Sequence, residues 1–180
     1  MFGHLVAGDE RDARRMVEGL AEDGVSITTV AQDVLTPSLR RLGEQWVAGR
    51  LGISEEHRAS AIVERILGEH HPTPRGRRRG TAVVVALAGD RHSLPTAMAA
   101  AALRDDNWHV QHLGADVPGA DLMGFIDAHP IDLVVLSVTA PAVRRAVDGV
   151  VAQIEAAGRR VLVGSAGARL DELQRSARGD

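Results

Sequence analysis

Up to residue 70 the apolar positions recur at helical spacing; from Thr81 onward they come in short unbroken runs. In the first part, Asp9 is placed to cap a helix running to about Ala21, with Glu10 and Asp12 in the first turn, where the helix dipole favours negative charge. Gly24 ends that helix, and a second stretch runs from near Ser26 to about Val34. Pro37 suits the first turn of a third helix, carried through Leu39, Leu42 and Trp46 and ending near Gly49. Gly52 is a break, and Ser54 is expected to cap a fourth helix with Glu55 and Glu56 in its first turn. Ala59, Ile62, Val63, Ile66 and Leu67 repeat at helical spacing along it. Four short helices with short connections predict a small bundle over residues 1–72.

The run HHPTPRGRRRG at 70–80 has two prolines, two glycines and four arginines without an apolar anchor, and reads as a solvated linker over 73–80. Beyond it, TAVVVAL (81–87) has the continuous Val-rich character of a strand buried on both faces. A helix is expected from about Pro95 to Leu103, a strand at 108–113, a helix near 119–127, a strand at 133–138, a helix at 142–156, a strand at 160–163 and a last helix over 168–176. This alternation predicts an α/β domain over 81–180: a flavodoxin- or Rossmann-like parallel sheet with helices on both faces. The sheet is expected to be either four-stranded or clipped.

Composition narrows the chemistry. The chain has 180 residues, a net charge of −3 and 44% hydrophobic residues, which fits a folded protein of one large or two small domains. It has no Cys, which excludes disulfides, thiolate metal sites, Cys nucleophiles and thioether-linked chromophores. No long apolar run or signal-peptide pattern is present, so a cytoplasmic location is the expectation. The slightly acidic balance argues against direct nucleic-acid binding. Aromatics make up only 2%: Phe2, Trp46, Trp108 and Phe125. An aliphatic core explains most of that scarcity and leaves each aromatic in need of a role.

Ligands of an open parallel sheet sit beyond the carboxyl ends of its strands. Those ends are AGDRHSLPT (88–96), GADVP (114–118), SVTAP (137–141) and GSAG (164–167). The first carries Asp90 and His92. A histidine in such a loop can ligate a metal or act as acid or base, and a carboxylate two residues earlier can fix its tautomer. On its own the pair is a weak signal, since a surface loop more often holds both residues by chance. Neither phosphate-loop spacing, Gly-x-Gly-x-x-Gly or Gly-Lys-Ser/Thr, occurs.

The segments AGDRHSLP, SVT and VLVGSAG resemble the cobalamin-binding signature Asp-x-His-x-x-Gly … Ser-x-Leu/Thr … Gly-Gly. Pro95 occupies the first Gly position, and 41 residues (96–136) separate it from Ser137, the usual spacing. HLGADVP is similar to the family's Leu-Gly-x-Asp-x-Pro segment. The resemblance implies a base-off, His-on corrinoid with His92 as the lower cobalt ligand and Asp90 as its partner. It further implies that Ser137 and Thr139 line the slot for the dimethylbenzimidazole tail and that Gly164 and Ser165 leave room for it. In the helical part, Trp46 is followed by nine residues and then Glu56-His57. This resembles the cap module of cobalamin-dependent photoreceptors, in which the Trp and Glu cover the upper axial face and its 5′-deoxyadenosyl group. Trp46, Glu56 and His57 are therefore the implied upper-face residues.

Three departures stand out. Pro95 and Ser165 replace signature glycines, and Val47 stands where light-regulated repressors of the family carry a His that takes the upper cobalt position after photolysis. The helix-turn-helix domain of those repressors is also missing from this sequence, so output through self-assembly (a dimer or larger) or a protein partner is expected, without DNA contact. Some relatives are thought to bind a linear tetrapyrrole beside the corrin; without Cys a thioether link is excluded here, so a bilin would most simply be noncovalent, and no residue demands one. His4, His70, His71, His109, His112 and His129 are expected to be structural or solvent-facing. The leading reading is a non-enzymatic adenosylcobalamin light sensor; the alternatives are a corrinoid carrier for methyl transfer and a sheet domain that only mediates protein contacts.

Overall fold

The computed structural model describes residues 1–165 and 167–179, which form two compact units, one over Met1–His71 and one over the described residues from Pro72 onward.

The first unit is helical. A helix absent from the sequence expectations, α1 (Phe2–Ala7), opens it and stops at Gly8, whose φ of 73° is left-handed. Asp9 then caps α2 (Glu10–Glu22) by accepting the Asp12 N–H at 3.1 Å. Ser26 caps α3 (Ile27–Val30) through the Thr29 N–H. The expected break before Pro37 does not occur. Instead α3 passes through one π turn, Ala31–Leu35, into α4 (Thr36–Val47), so the second and third expected helices are one continuous helix. Pro37 lacks the N–H that a regular helix would use there, and the π turn absorbs the mismatch. The Thr36 hydroxyl donates to the Ala31 carbonyl at 2.8 Å, which also accepts the Thr36 N–H, and the Ser38 hydroxyl donates to that of Val34 at 2.7 Å.

The helix α5 (Ile53–Gly68) starts two residues earlier than a Ser54 cap requires: Gly52 is the N-cap. Glu55 is three residues on, where a capping box puts its acid, and lies so close over Gly52 that a Cβ there would come 2.5 Å from Glu55 Oε2. Leu5, Ala13, Val30, Leu35, Leu42, Ala59, Ile62, Val63 and Leu67 fill the unit's interior. At its surface Glu10 pairs with Arg65 at 2.6 Å and with Arg14, which also holds Glu69, so α2 and α5 are joined by a charged network.

The second unit is the expected α/β sheet. Its elements are β1 (Thr81–Leu87), α6 (Ser93–Asp105), β2 (His109–Val117), α7 (Gly119–Ala128), β3 (Leu133–Val138), a 3-10 turn (Pro141–Val143), α8 (Arg144–Ala156), β4 (Arg160–Ser165) and α9 (Leu170–Arg178). The four strands are parallel in the order β2-β1-β3-β4. Alternate residues serve opposite faces, as the period of a strand requires. Val83, Val85, Leu87, Val134 and Leu136 pack with Leu122, Ile126, Val147 and Ile154 of α7 and α8. Ala82, Val84, Leu133 and Val135 pack with Ala99, Ala100, Leu103 and Ala177 of α6 and α9.

The arginine-rich stretch is bonded into this unit. Asn107, left-handed at φ 67°, accepts the Arg75 N–H and donates to the carbonyls of Arg75 and Arg77. The Arg78 side chain donates to the Trp108 carbonyl and that of Arg79 to the Asp106 carbonyl. The buried Asp106 carboxylate receives Arg178 of α9 at 2.6 Å.

Candidate functional site

The loop Ala88–His92 leaves the carboxyl end of β1, and His92 is the N-cap residue of α6. Asp90 within it is fully buried (0% exposed) and ringed by donors. The backbone N–H of Thr139 reaches Asp90 Oδ2 at 2.6 Å, that of Ala140 reaches it at 3.0 Å, and the Thr139 hydroxyl bridges both carboxylate oxygens. The His92 N–H donates to Oδ1 at 3.2 Å, and His92 Nδ1 lies 2.7 Å from the same oxygen. Burial by itself raises the Asp90 carboxyl; the bonds from Thr139, Ala140 and His92 outweigh it and hold the group well below the usual carboxylate range.

An ionised carboxylate only accepts, so His92 Nδ1 must carry the ring proton. The lone pair is then on Nε2, and the side chain is 63% exposed. The chain thus presents an imidazole with its tautomer and one edge fixed and its second nitrogen open, the arrangement that suits a metal ligand backed by a carboxylate. This donor chemistry fits a cobalt ligand at His92.

Ser137, buried at the end of β3, lies in register between Ala86 of β1 and Gly164 of β4. Gly164 is open enough that, among the described residues, an added Cβ would meet only the Leu136 carbonyl, at 3.9 Å. Ser165, exposed, ends β4 beside Val138. The Thr139 hydroxyl is bonded to Asp90, the partner of His92. Pro95 is the third residue of α6, where a missing N–H costs no helical bond. A residue the sequence candidates omit is Asp116, bonded through both its backbone and its side chain to the 88–92 loop. The signal was present in HLGADVP, where an Asp stands between Gly114 and Pro118.

Within the helical unit, Trp46 is near the end of α4 and 47% exposed, and Val47 beside it is 81% exposed. Glu56 is in the first turn of α5; its Oε2 is 2.7 Å from His57 Nδ1 and its Oε1 accepts the Ser60 hydroxyl at 2.8 Å. Glu56 and His57 are thus a bonded pair with the His ring mostly exposed. Among the other histidines, His112 Nε2 is 2.8 Å from the Thr96 hydroxyl, and His129 stacks on Phe125 at 4.2 Å. His4 is grouped with Asp9 and Asp12, ligand atoms within 4.8 Å of one another; Asp9 caps α2 and Asp12 pairs with Arg15. Among the described residues no helix is long and apolar enough to cross a membrane.

Residues 80–180 match the family model described as the B12 binding domain, and residues 1–69 match a second model of the same description. The chain belongs to the B12-binding domain family. It is a cobalamin-binding protein. The B12-binding chain is 33% identical over 141 residues to the HTH-type transcriptional repressor CarH of Myxococcus xanthus, which takes in 76% of this chain and 47% of that one. It is 30% identical over 140 residues to CarA of the same organism, over 76% and 46% respectively. The chain spans about half the length of these curated relatives. In fold, this B12-binding protein is similar to the Methanosarcina barkeri monomethylamine corrinoid protein, with a TM-score of 0.72 over 99% of this chain and 95% of that one at 13% identity.

Proposed function

We propose that the chain binds adenosylcobalamin base-off, with His92 Nε2 as the lower cobalt ligand, and serves as a light-responsive regulatory protein. The observation that carries the ligand assignment is the buried Asp90 carboxylate holding His92 Nδ1 at 2.7 Å, which leaves Nε2 free. Ser137, Gly164 and Ser165 leave space at the ends of β3 and β4 for the nucleotide tail. The cofactor supplies a cobalt–carbon bond that visible light breaks. Trp46 gives the adenosyl group an apolar plane that excludes water, and Glu56 accepts hydrogen bonds from its hydroxyls or amine. The spacing of Trp46 to Glu56-His57 and the likeness to CarH support the photoreceptor reading. Output runs through self-association or a partner protein; any bilin is bound noncovalently.

A second reading, a corrinoid carrier for methyl transfer, is favoured by one residue. Val47 cannot coordinate cobalt, so no histidine follows Trp46 to seize the upper face after light. The oligomeric state of the chain with adenosylcobalamin, in the dark and under green light, separates the two, with absorption spectra as the check that the cofactor is bound and photolysed. A light-driven change of oligomeric state is expected. An oligomeric state insensitive to light, with preference for methylcobalamin and turnover beside a methyltransferase, overturns the sensor in favour of the carrier.

A further inference from the structure

The end of β2 is irregular in a way that bears on His92. His112 lies beside Val84, Gly114 beside Val85 and Val117 beside Leu87, so β2 holds two more residues than the β1 stretch it pairs with. Left-handed backbone at Gly114 (φ 82°) and Asp116 (φ 61°) accommodates them. Aspartate is among the few residues besides glycine that tolerate this conformation. So turned, Asp116 takes hold of the β1 loop twice. Its N–H donates to the Asp90 carbonyl at 3.0 Å, and its Oδ1 accepts the Gly89 N–H at 2.7 Å. The next carbonyl, that of Val117, accepts the Ala88 N–H at 2.8 Å, and Arg91 sits 3.6 Å from Asp116 Oδ2. Four consecutive loop residues leading to His92 are therefore tied to two residues of β2. Gly89 itself is left-handed at φ 92°, a conformation with many alternatives for glycine unless something pins it.

We propose that Asp116 is a positioning residue for the cobalt ligand: by pinning Gly89 it fixes the course of residues 88–92 and thereby the direction of the His92 imidazole. Asp90 sets the tautomer; Asp116 sets where the loop carrying both residues goes. This rests on the assignment of His92 as the lower ligand.

The test uses the full chain, labelled with ¹⁵N-histidine and loaded with cob(II)alamin, read by electron paramagnetic resonance. A ¹⁵N ligand splits each axial cobalt line into a doublet, whereas a ¹⁴N nitrogen from the cofactor's own base gives a triplet. Asp116→Gly keeps the left-handed backbone and removes the carboxylate. It is expected to lower the ratio of histidine-ligated to unligated cobalt about tenfold, the loss of one charge-assisted hydrogen bond. Asp116→Asn keeps an oxygen acceptor and is expected to stay near the parent ratio. Asp116→Ser, too short to reach Gly89, supplies the same comparison should the glycine variant fail to fold. A parent ratio in the Gly or Ser variant overturns the positioning role. His92→Ala separates the two assignments: loss of its doublet upholds the ligand, and a doublet that survives it overturns ligand and positioning residue together.

Discussion

At Asp90 a single buried carboxylate takes donors from the turn after β3, from its own loop and from the imidazole beside it. Truncation leaves the N–H groups of Thr139 and Ala140 without their acceptor, which typically costs 1–3 kcal/mol for each buried donor. Asp90→Ala is therefore expected to lower stability by about 3 kcal/mol, read as a shift of the urea midpoint, and to release His92 from its fixed tautomer. The pH dependence has a definite sign. Because the folded state holds Asp90 below its ordinary value of 3.8, its contribution is present above that pH and lost as the pH falls below it. Asp90→Asn is expected to flatten that acid limb in equilibrium unfolding. Asp90 and His92 were legible in the sequence because both belong to a compact motif. For Thr139, implied at the tail slot, only the fold shows that its hydroxyl also lies against a residue 49 positions earlier. Asp116 stands in the legible HLGADVP segment, but its bonds to the 88–92 loop depend on a strand irregularity that no spacing rule encodes.

Regular elements followed from local pattern, and irregular ones did not. The strands β1 and β3 lie where continuous apolar runs placed them, since burial on both faces demands such runs. In contrast, α1 is only 6 residues long and holds one buried residue, Leu5, too little periodicity to see. The helix through Pro37 was split in two because a proline ordinarily marks a first turn, and the π turn that spares the break is a cooperative solution. The contact of α2 with α5 has its own acid sensitivity. Arg65, then Arg14, pull Glu10 down from an ordinary 4.5 to about 2. The network is complete above pH 4.5 and lost as the pH falls toward 2. Thermal melts of the Glu10→Gln variant are expected to show less destabilisation between pH 6 and pH 3 than the parent, with high salt weakening the difference.

For the whole molecule, the parallel sheet and the helical unit were both legible, and the family likeness spans each of them. A ligand that binds only the folded chain stabilises it by RT ln(1 + L/Kd), where L is its free concentration, and so raises the melting temperature as L exceeds Kd. Adenosylcobalamin is therefore expected to stabilise the parent protein. His92→Ala is expected to lose most of that shift together with the histidine-ligated spectrum. Trp46→Ala is expected to keep the ligated spectrum in the dark and to lose discrimination between adenosylcobalamin and methylcobalamin. Equal behaviour of the two variants in both measurements overturns the division of labour.

The scarcity of aromatics has a practical side. The chain has two tryptophans and no tyrosine, and the tryptophans fall one to each unit. Trp46 is 47% exposed and Trp108 only 3%. Their emission therefore differs in colour and in access to a dissolved quencher: iodide or acrylamide dims the red-shifted signal of the helical unit and spares the blue-shifted signal of the sheet unit. A single fluorescence titration of the unlabelled protein thus reports separately on each half, with no tyrosine background to subtract.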